Sequence, residues 1–491
     1  MSKKKISRRS FLGQASCAAV GTSAFLNTAL NLGAINTLAA RPHILQSTGD
    51  YKAMVCLLLA GGCDTHNVLI PTESSQYSAY ATTRGDLALS NTQGQPAEYL
   101  DLMTGAVPYT KNGQTFGVHA GMPGLQQMFS EGDAGFIANV GTLIEPIANK
   151  VDFESGLRKV PLGLYSHSDQ IMQWQTSVPQ SRSAVGVGGR LADLLHDMNS
   201  IPEISMNISL AGKNRFQAGN QYNEYSISRN ATADNIGYDG FSWWQSQRGI
   251  QNDIKRGAID SLAAQSYDNI FQKTYGELGQ QTAQSIEVMR AALSNITPLA
   301  TSFTTTNIST ELKKIAELIS VRSNLGAQRQ VFFVTYGGWD HHDNVLGSQQ
   351  AMLPILDEAL TSFNAAMKEV GVHDKVATFT ISDFGRTLTS NGNGSDHAWG
   401  GNQIIMGGPF VGGEVHGDYP TLDLTNPLNL HNRGRFIPTT SVDEMYAELA
   451  LWFGASPNDL DYLLPNLCNF YASSNCTAPP SSGYAPIGLF S

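Results

Sequence analysis

Cysteine is scarce in this chain: five residues in 491, with no pair at the short spacings that hold structural zinc. Cys56 stands inside an apolar run and reads as a buried thiol. Cys468 and Cys476 are close enough to close a small loop in an oxidising compartment. Basic charge is short as well. Lys and Arg number 31 against 41 Asp and Glu, a formal net charge of −10, which makes nucleic acid and anionic membrane surfaces poor partners. No stretch reaches the roughly 20 predominantly apolar residues of a membrane span, and no repeat of fixed period is present.

What is present begins with the amino terminus. Lys3, Lys4 and Lys5 precede Ser7-Arg8-Arg9-Ser10-Phe11-Leu12, and a mild apolar stretch diluted by Gly, Ser, Thr and Asn runs from Ala15 to Ala40. A charged start, a twin arginine, a short apolar region and small residues before Arg41-Pro42 together read as a removed twin-arginine signal peptide over residues 1–40. The expected partner is the twin-arginine translocase, and the expected location is periplasmic or secreted. Cys17 precedes most of the apolar run, so it does not read as a lipid attachment site. Removal of 1–40 would take away five positive charges (Lys3, Lys4, Lys5, Arg8, Arg9) and move the net charge from −10 to −15.

The remainder reads as one large α/β domain over 41–470. Lys52–Ala60 (KAMVCLLLA) is a continuous apolar run stopped by Gly61-Gly62, the pattern of a strand buried on both faces. Gly135–Gly141, Arg329–Tyr336 and Lys375–Ile381 read the same way. Between the last two, Met352, Leu356, Leu360, Phe363, Met367 and Val370 recur at three and four, which predicts a helix and a parallel crossover. Ser441-Val-Asp-Glu444 is a capping box opening a helix that carries Tyr446, Leu449, Ala450 and Phe453 and stops at Gly454. Residues 220–325, with the patterns Ala258–Tyr275 and Gln280–Leu293, read as a helical insertion or cap, and 471–491 as a flexible tail.

Three of the four strands end in the same chemistry: Gly61-Gly62-Cys63-Asp64, Gly337-Gly338-Trp339-Asp340-His341-His342 and Ser382-Asp383-Phe384-Gly385-Arg386. Ligand sites of open α/β sheets lie beyond the carboxyl ends of strands. Asp64, Asp340 and Asp383 on one such edge would repel one another, and a divalent cation is the usual remedy. Asp396-His397, in a glycine-rich loop shortly after, can fold over the same edge. Carboxylate oxygen with imidazole nitrogen suits a transition ion better than magnesium or calcium. An Asp after Gly-Gly is also an ordinary turn residue or cap; it is the coincidence of three strand ends with an Asp-His loop that points to a site. His119, His196, His373, His416 and His431 read as surface or packed side chains, with His416 the first to check as a further ligand. Ser166 and Ser168 precede a helical stretch, where either a plain N-cap or a nucleophile beside free N–H groups is open.

Taken together, GGCDTHN (61–67), SHSDQIMQWQTS (166–177), YGGWDHHDN (336–344), SDFGRT (382–387), GSDHAWGGN (394–402), GGPFVGGEVHGDYP (407–420) and the stretch from Arg435 to Gly454 resemble the exported family called domain of unknown function 1501. The resemblance runs from about residue 50 to 470 and implies membership of the alkaline phosphatase and sulfatase superfamily: a mainly parallel central sheet between helical layers and a two-metal site. It implies Asp64, Asp340, His342, Asp383 and His397 as metal ligands and Ser166 as nucleophile; Arg386, beside them in the sequence, is the expected aid to anion binding. Phe384 stands where the superfamily has a ligating histidine, so Asp396 or His341 would have to substitute. The sulfatase signature, Cys or Ser-x-Pro-x-Arg, is missed by one residue in Ser177-Val-Pro-Gln-Ser-Arg182.

The function this implies is an exported hydrolase of phosphate or related esters. One or two divalent ions, zinc or manganese, would serve a serine nucleophile or an activated water, and the substrate would be a small anionic ester. The alternative is a non-catalytic periplasmic binding or assembly protein that retains the fold. For the export signal, changing Arg8 and Arg9 together to lysine should leave the unprocessed precursor in the cytoplasm on fractionation. Normal delivery of that variant would remove the twin-arginine reading.

Overall fold

The computed structural model describes residues 51–93, 95–233, 257, 261, 265, 268–470 and 487–490. The expected signal over 1–40, part of the Ala258–Tyr275 pattern and most of the tail lie outside the described residues.

The apolar run after Tyr51 forms β1 (Lys52–Ala60), whose interior is buried throughout. Eight further strands join it: β2 (Ala134–Gly141), β3 (Asn207–Ser209), β4 (Tyr225–Ser226), β5 (Arg329–Gly337), β6 (Val376–Ser382), β7 (Gly401–Met406), β8 (Val415–His416) and β9 (Thr440–Ser441). Their order is β4-β3-β5-β1-β6-β7-β2-β8, with β9 also on β2. β1 lies parallel between β5 and β6, and β7 runs against both of its neighbours. A mixed, largely parallel sheet is what the continuous apolar runs predicted, because a strand covered on both faces has no polar side to present.

Both coverings are identifiable. Alternate β1 residues Ala53, Val55, Leu57 and Leu59 pack in one apolar cluster with α2 (Pro123–Glu131), α6 (Asn307–Ser320) and α7 (Val345–Glu369). On the other face, Phe333 and Phe379 meet Phe216 and Tyr446 in a ring cluster, and Tyr446 belongs to α8 (Val442–Phe453). Helix α7 carries the apolar positions read from the sequence, with Leu356, Leu360, Phe363 and Met367 buried, and it returns the chain from β5 over β1 to β6. The capping box is formed: Ser441 Oγ accepts from Glu444 N and Glu444 Oε2 from Ser441 N. No described helix is long and apolar enough to cross a membrane.

Three details differ from the sequence reading. Within 220–325, Tyr225–Ser226 is an edge strand of the sheet, because its backbone pairs with β3. The later α6 packs on α7 and β5 as part of a covering layer, with its apolar stripe of Ile308, Leu312, Ile315 and Ile319 buried; α5 (Ile270–Ser294) precedes it. The expected loose tail does not extend to Ile487–Phe490. Buried Glu448 accepts from the backbone N–H groups of Ile487, Gly488 and Leu489, and Phe490 stacks on Trp452. Cys56 and Cys63 are buried thiols; Cys468 is disulfide-bonded, and Cys476 lies outside the described residues.

Ser441→Ala should remove one half of the reciprocal cap and lower stability by about 1 kcal/mol. Urea unfolding would read this as an earlier midpoint at unchanged slope, and an unchanged midpoint would mean the cap contributes nothing.

Candidate metal centre

The site begins where β1 ends. Gly61 and Gly62 have φ of +120° and +80°, and a Cβ on either would meet Asp340 N at 2.5 Å or the Phe384 ring at 2.4 Å. Only glycine lets the three strand ends approach so closely. The approach is held by Arg386, whose guanidinium is fully enclosed. It donates to Gly62 O (2.7 Å), Gly61 O (2.7 Å), Ser395 O (3.0 Å) and Trp339 O (3.3 Å), and pairs with the Asp340 carboxylate. Ser382 ties the same edge by donating to Leu59 O (2.7 Å) and accepting from Cys63 N (2.9 Å).

Above this brace stand Asp340 and three imidazoles. His342 Nε2 lies 2.8 Å from His397 Nε2 and 3.1 Å from Asp340 Oδ1. His397 Nε2 is 3.4 Å from the same oxygen, and His167 Nε2 is 3.5 Å from Asp340 Oδ2. His167, Asp340 and His397 offer ligand atoms within 4.8 Å of one another. Zinc ligands at about 2.0 to 2.1 Å in tetrahedral array stand about 3.3 Å apart, so the His342, His397 and Asp340 atoms have the spacing of one face of such a shell.

The other ring nitrogens say how the imidazoles are protonated. His167 Nδ1 faces Asp383 Oδ2 (2.6 Å), His397 Nδ1 faces Tyr165 O (2.8 Å) and His342 Nδ1 faces Asp396 Oδ1 (3.3 Å). Each of those oxygens can only accept, so in the neutral rings the proton is assigned to Nδ1 and the Nε2 lone pair is turned inward. Carboxylates and carbonyls in this position are the usual orienting partners of metal-ligating histidine. Burial further lowers the His397 pKa, with the nearby positive charge of Arg386 adding to it. At Asp340, burial works to raise the pKa, but the hydrogen bond and charge of Arg386 hold it below the ordinary carboxylate value. At Asp396 burial is likewise outweighed, here by Asn391 and Arg433.

Local backbone sets these directions. Ser166 is the N-cap residue of α3 (His167–Thr176), yet its side chain makes no capping bond; its Oγ lies 3.2 Å from Ser168 Oγ. Tyr165, immediately before, has φ of +73°, rare for an aromatic residue, which turns its carbonyl toward His397. Arg435 lies over the Tyr165 ring at 4.5 Å and donates to His397 O at 2.7 Å.

The sequence candidates therefore separate. Asp340, His342 and His397 converge. Asp383 and Asp396 stand one shell out, orienting His167 and His342, with Asp396 also paired to Arg433. Asp64 is not in the cluster: it is buried below and bound through Oδ2 to Arg84 Nη2 at 2.7 Å. Arg386 is no anion receptor, since its enclosed guanidinium is committed to backbone carbonyls and Asp340. Phe384 forms a wall, its ring 4.4 Å from that of His397 and 4.8 Å from that of His167. His341 is buried against Trp339, and His416 bonds Val411 O and Ile487 O rather than joining the site.

Two residues escaped the sequence reading. His167 stands between two serines, and its signal is its place at the first position of the helix that Ser166 and Ser168 announce. Arg84 ends α1 (Ser74–Arg84) and carries no motif.

None of the curated proteins matches the chain significantly. Among solved structures, Ps i-CgsB in complex with k-i-k-neocarrahexaose is similar at 11% identity and TM-score 0.33, over 84% of this chain and 74% of that one. A protein from Pyrococcus horikoshii is similar at 9% identity and TM-score 0.27, over 85% and 97%. A TAB5 alkaline phosphatase variant with Mg bound in its M3 site is similar at 10% identity and TM-score 0.24, over 72% and 91%. Residues 250–454, which hold Asp340, His342, Asp383 and His397 but neither Asp64 nor His167, match the family described as a protein of unknown function, DUF1501, the family whose motifs the sequence resembles.

Proposed function

We propose that this protein is an exported hydrolase of phosphate or related anionic esters that holds a divalent transition ion, zinc or manganese, between Asp340, His342, His397 and His167. One observation carries the reading. The Nε2 atoms of His342 and His397 lie 2.8 Å apart with Asp340 Oδ1 beside both, and with the ring protons assigned to Nδ1 by Asp396 and Tyr165 O, the two inward lone pairs favour a cation in contact with both nitrogens.

An ion held there would supply polarisation of an ester oxygen and stabilisation of developing negative charge. The chain's own residues do the rest. Asp383 fixes His167, Asp396 fixes His342, and Tyr165 O fixes His397, so three ligands are set before any ion arrives. Arg386 keeps Asp340 ionised. The start of α3 has first-turn N–H groups that the Ser166 side chain does not cap, an arrangement that favours an anion beside His167, and the Ser166 hydroxyl is the group offered there for attack. The alternative, a periplasmic binding or assembly protein, draws on Arg386: an enclosed guanidinium reaches no substrate.

Purified protein lacking residues 1–40 should turn over p-nitrophenyl phosphate or bis(p-nitrophenyl) phosphate, lose that activity on chelation and regain it with Zn²⁺ or Mn²⁺. Full activity after verified metal removal would overturn the metal-dependent reading, whereas bound metal with no ester turnover would favour the binding protein. Ser166→Ala should bring turnover to background with metal content unchanged. Retention of activity in Ser166→Ala and its loss in Ser168→Ala would move the nucleophile by one step, and retention in both would assign attack to water.

A further inference from the structure

Asp64 closes the first strand in the position that the resemblance gives to a metal ligand, yet no described ligand cluster includes it. Its surroundings are those of a cation site that already has its cation. Arg84 Nη2 lies 2.7 Å from Asp64 Oδ2 with both side chains buried, and Arg84 Nη1 donates to Thr387 O (3.1 Å) and Leu388 O (3.4 Å). A carboxylate and two backbone carbonyls are the oxygen donors that a hard divalent cation takes. Around them, Ser395 Oγ is 3.4 Å from the same carboxylate oxygen, and Gln349 donates to Asp64 O while its own Oε1, like Asp64 Oδ1, has no hydrogen-bond partner among the described residues. His66, also buried beside Asp64, is pushed down to about 4 chiefly by burial, so it is neutral at pH 7. The positive charge in contact with Asp64 is that of Arg84.

From this arrangement we infer that the Arg84 guanidinium takes the place of a second metal ion, so that the centre binds one divalent cation per chain. The inference rests on the metal reading of Asp340 and the three histidines and adds its stoichiometry. An arginine delivered from the last residue of α1 supplies a permanent charge that no chelator removes. It also repels a second divalent ion from the Asp64 pocket. It brings no open coordination position and cannot activate a water or a hydroxyl. The chemistry of the centre is therefore that of one ion beside a fixed positive charge, without the paired-ion clamp of two-metal hydrolases.

The test is a count of Mn²⁺ per chain, by elemental analysis after gel filtration and by paramagnetic resonance. Wild-type protein should hold one ion. Arg84→Ala, which frees Asp64, Thr387 O and Leu388 O together with the volume of the guanidinium, should hold two, and adding Asp64→Asn should return the count to one. Two ions in the wild type overturn the inference, and so does a folded Arg84→Ala variant that stays at one. The wild-type count decides even where Arg84→Ala does not fold, and Arg84→Gln, similar in reach and uncharged, gives a second variant with the same expected rise. No ion in the wild type is a different failure, because it removes the histidine centre itself.

Discussion

The enclosed guanidinium of Arg386 is the interaction on which the carboxyl edge of the sheet depends. It makes no contact with solvent, so its charge is balanced inside the protein by Asp340 and its N–H groups by the carbonyls of Gly61, Gly62, Trp339 and Ser395. Those carbonyls come from the ends of β1 and β5 and from the loop before His397, and Arg386 itself follows β6. One side chain thus joins the segments that bring Asp340, His342 and His397 to the centre, while His167 arrives from α3. A buried charge with its partner removed is strongly destabilising, by about 3 to 5 kcal/mol, so the geometry of the edge and the stability of the fold are linked at this point.

Around that brace the carboxylates are sorted by the cationic or proton-donating group each one meets. Asp64 meets Arg84, Asp340 meets Arg386, Asp396 meets Arg433 and Asp383 meets His167. Three of the four are committed to arginine, yet Asp340 alone turns its oxygens toward imidazole lone pairs as well. Mutual repulsion among Asp64, Asp340 and Asp383, the premise that led from sequence to a metal, is thus relieved largely by the protein's own cations. The case for a metal passes from the acids to the histidines.

This shift marks what was legible in the sequence. Strands buried on both faces announce themselves as unbroken apolar runs, and β1, β5 and β6 were placed to within a residue. The α8 capping box was equally plain, because cap chemistry is local. Tyr225–Ser226 was hidden, since two residues on a sheet edge leave no period to read. Asp340, His342 and His397 could be grouped because each follows a strand or sits in a loop that returns to a strand end. His167 and Arg84 could not. Their roles depend on where α3 and α1 lie relative to the edge, and nothing in a helix's own residues records that. Arg386 was found and given the wrong task, because an arginine beside a site reads the same whether it faces a ligand or backbone carbonyls.

Tyr165 carries a further consequence. An L-residue with a Cβ in the left-handed region stores about 1 to 2 kcal/mol, and that energy would be released if its backbone rotated to the ordinary side. Such a rotation swings the carbonyl off His397 Nδ1, 232 positions away in the chain, and shifts the ring from under Arg435. The start of α3 and the loop of His397 are therefore joined through one residue: the strained Tyr165 holds the His397 ring through its carbonyl and stands two positions before His167.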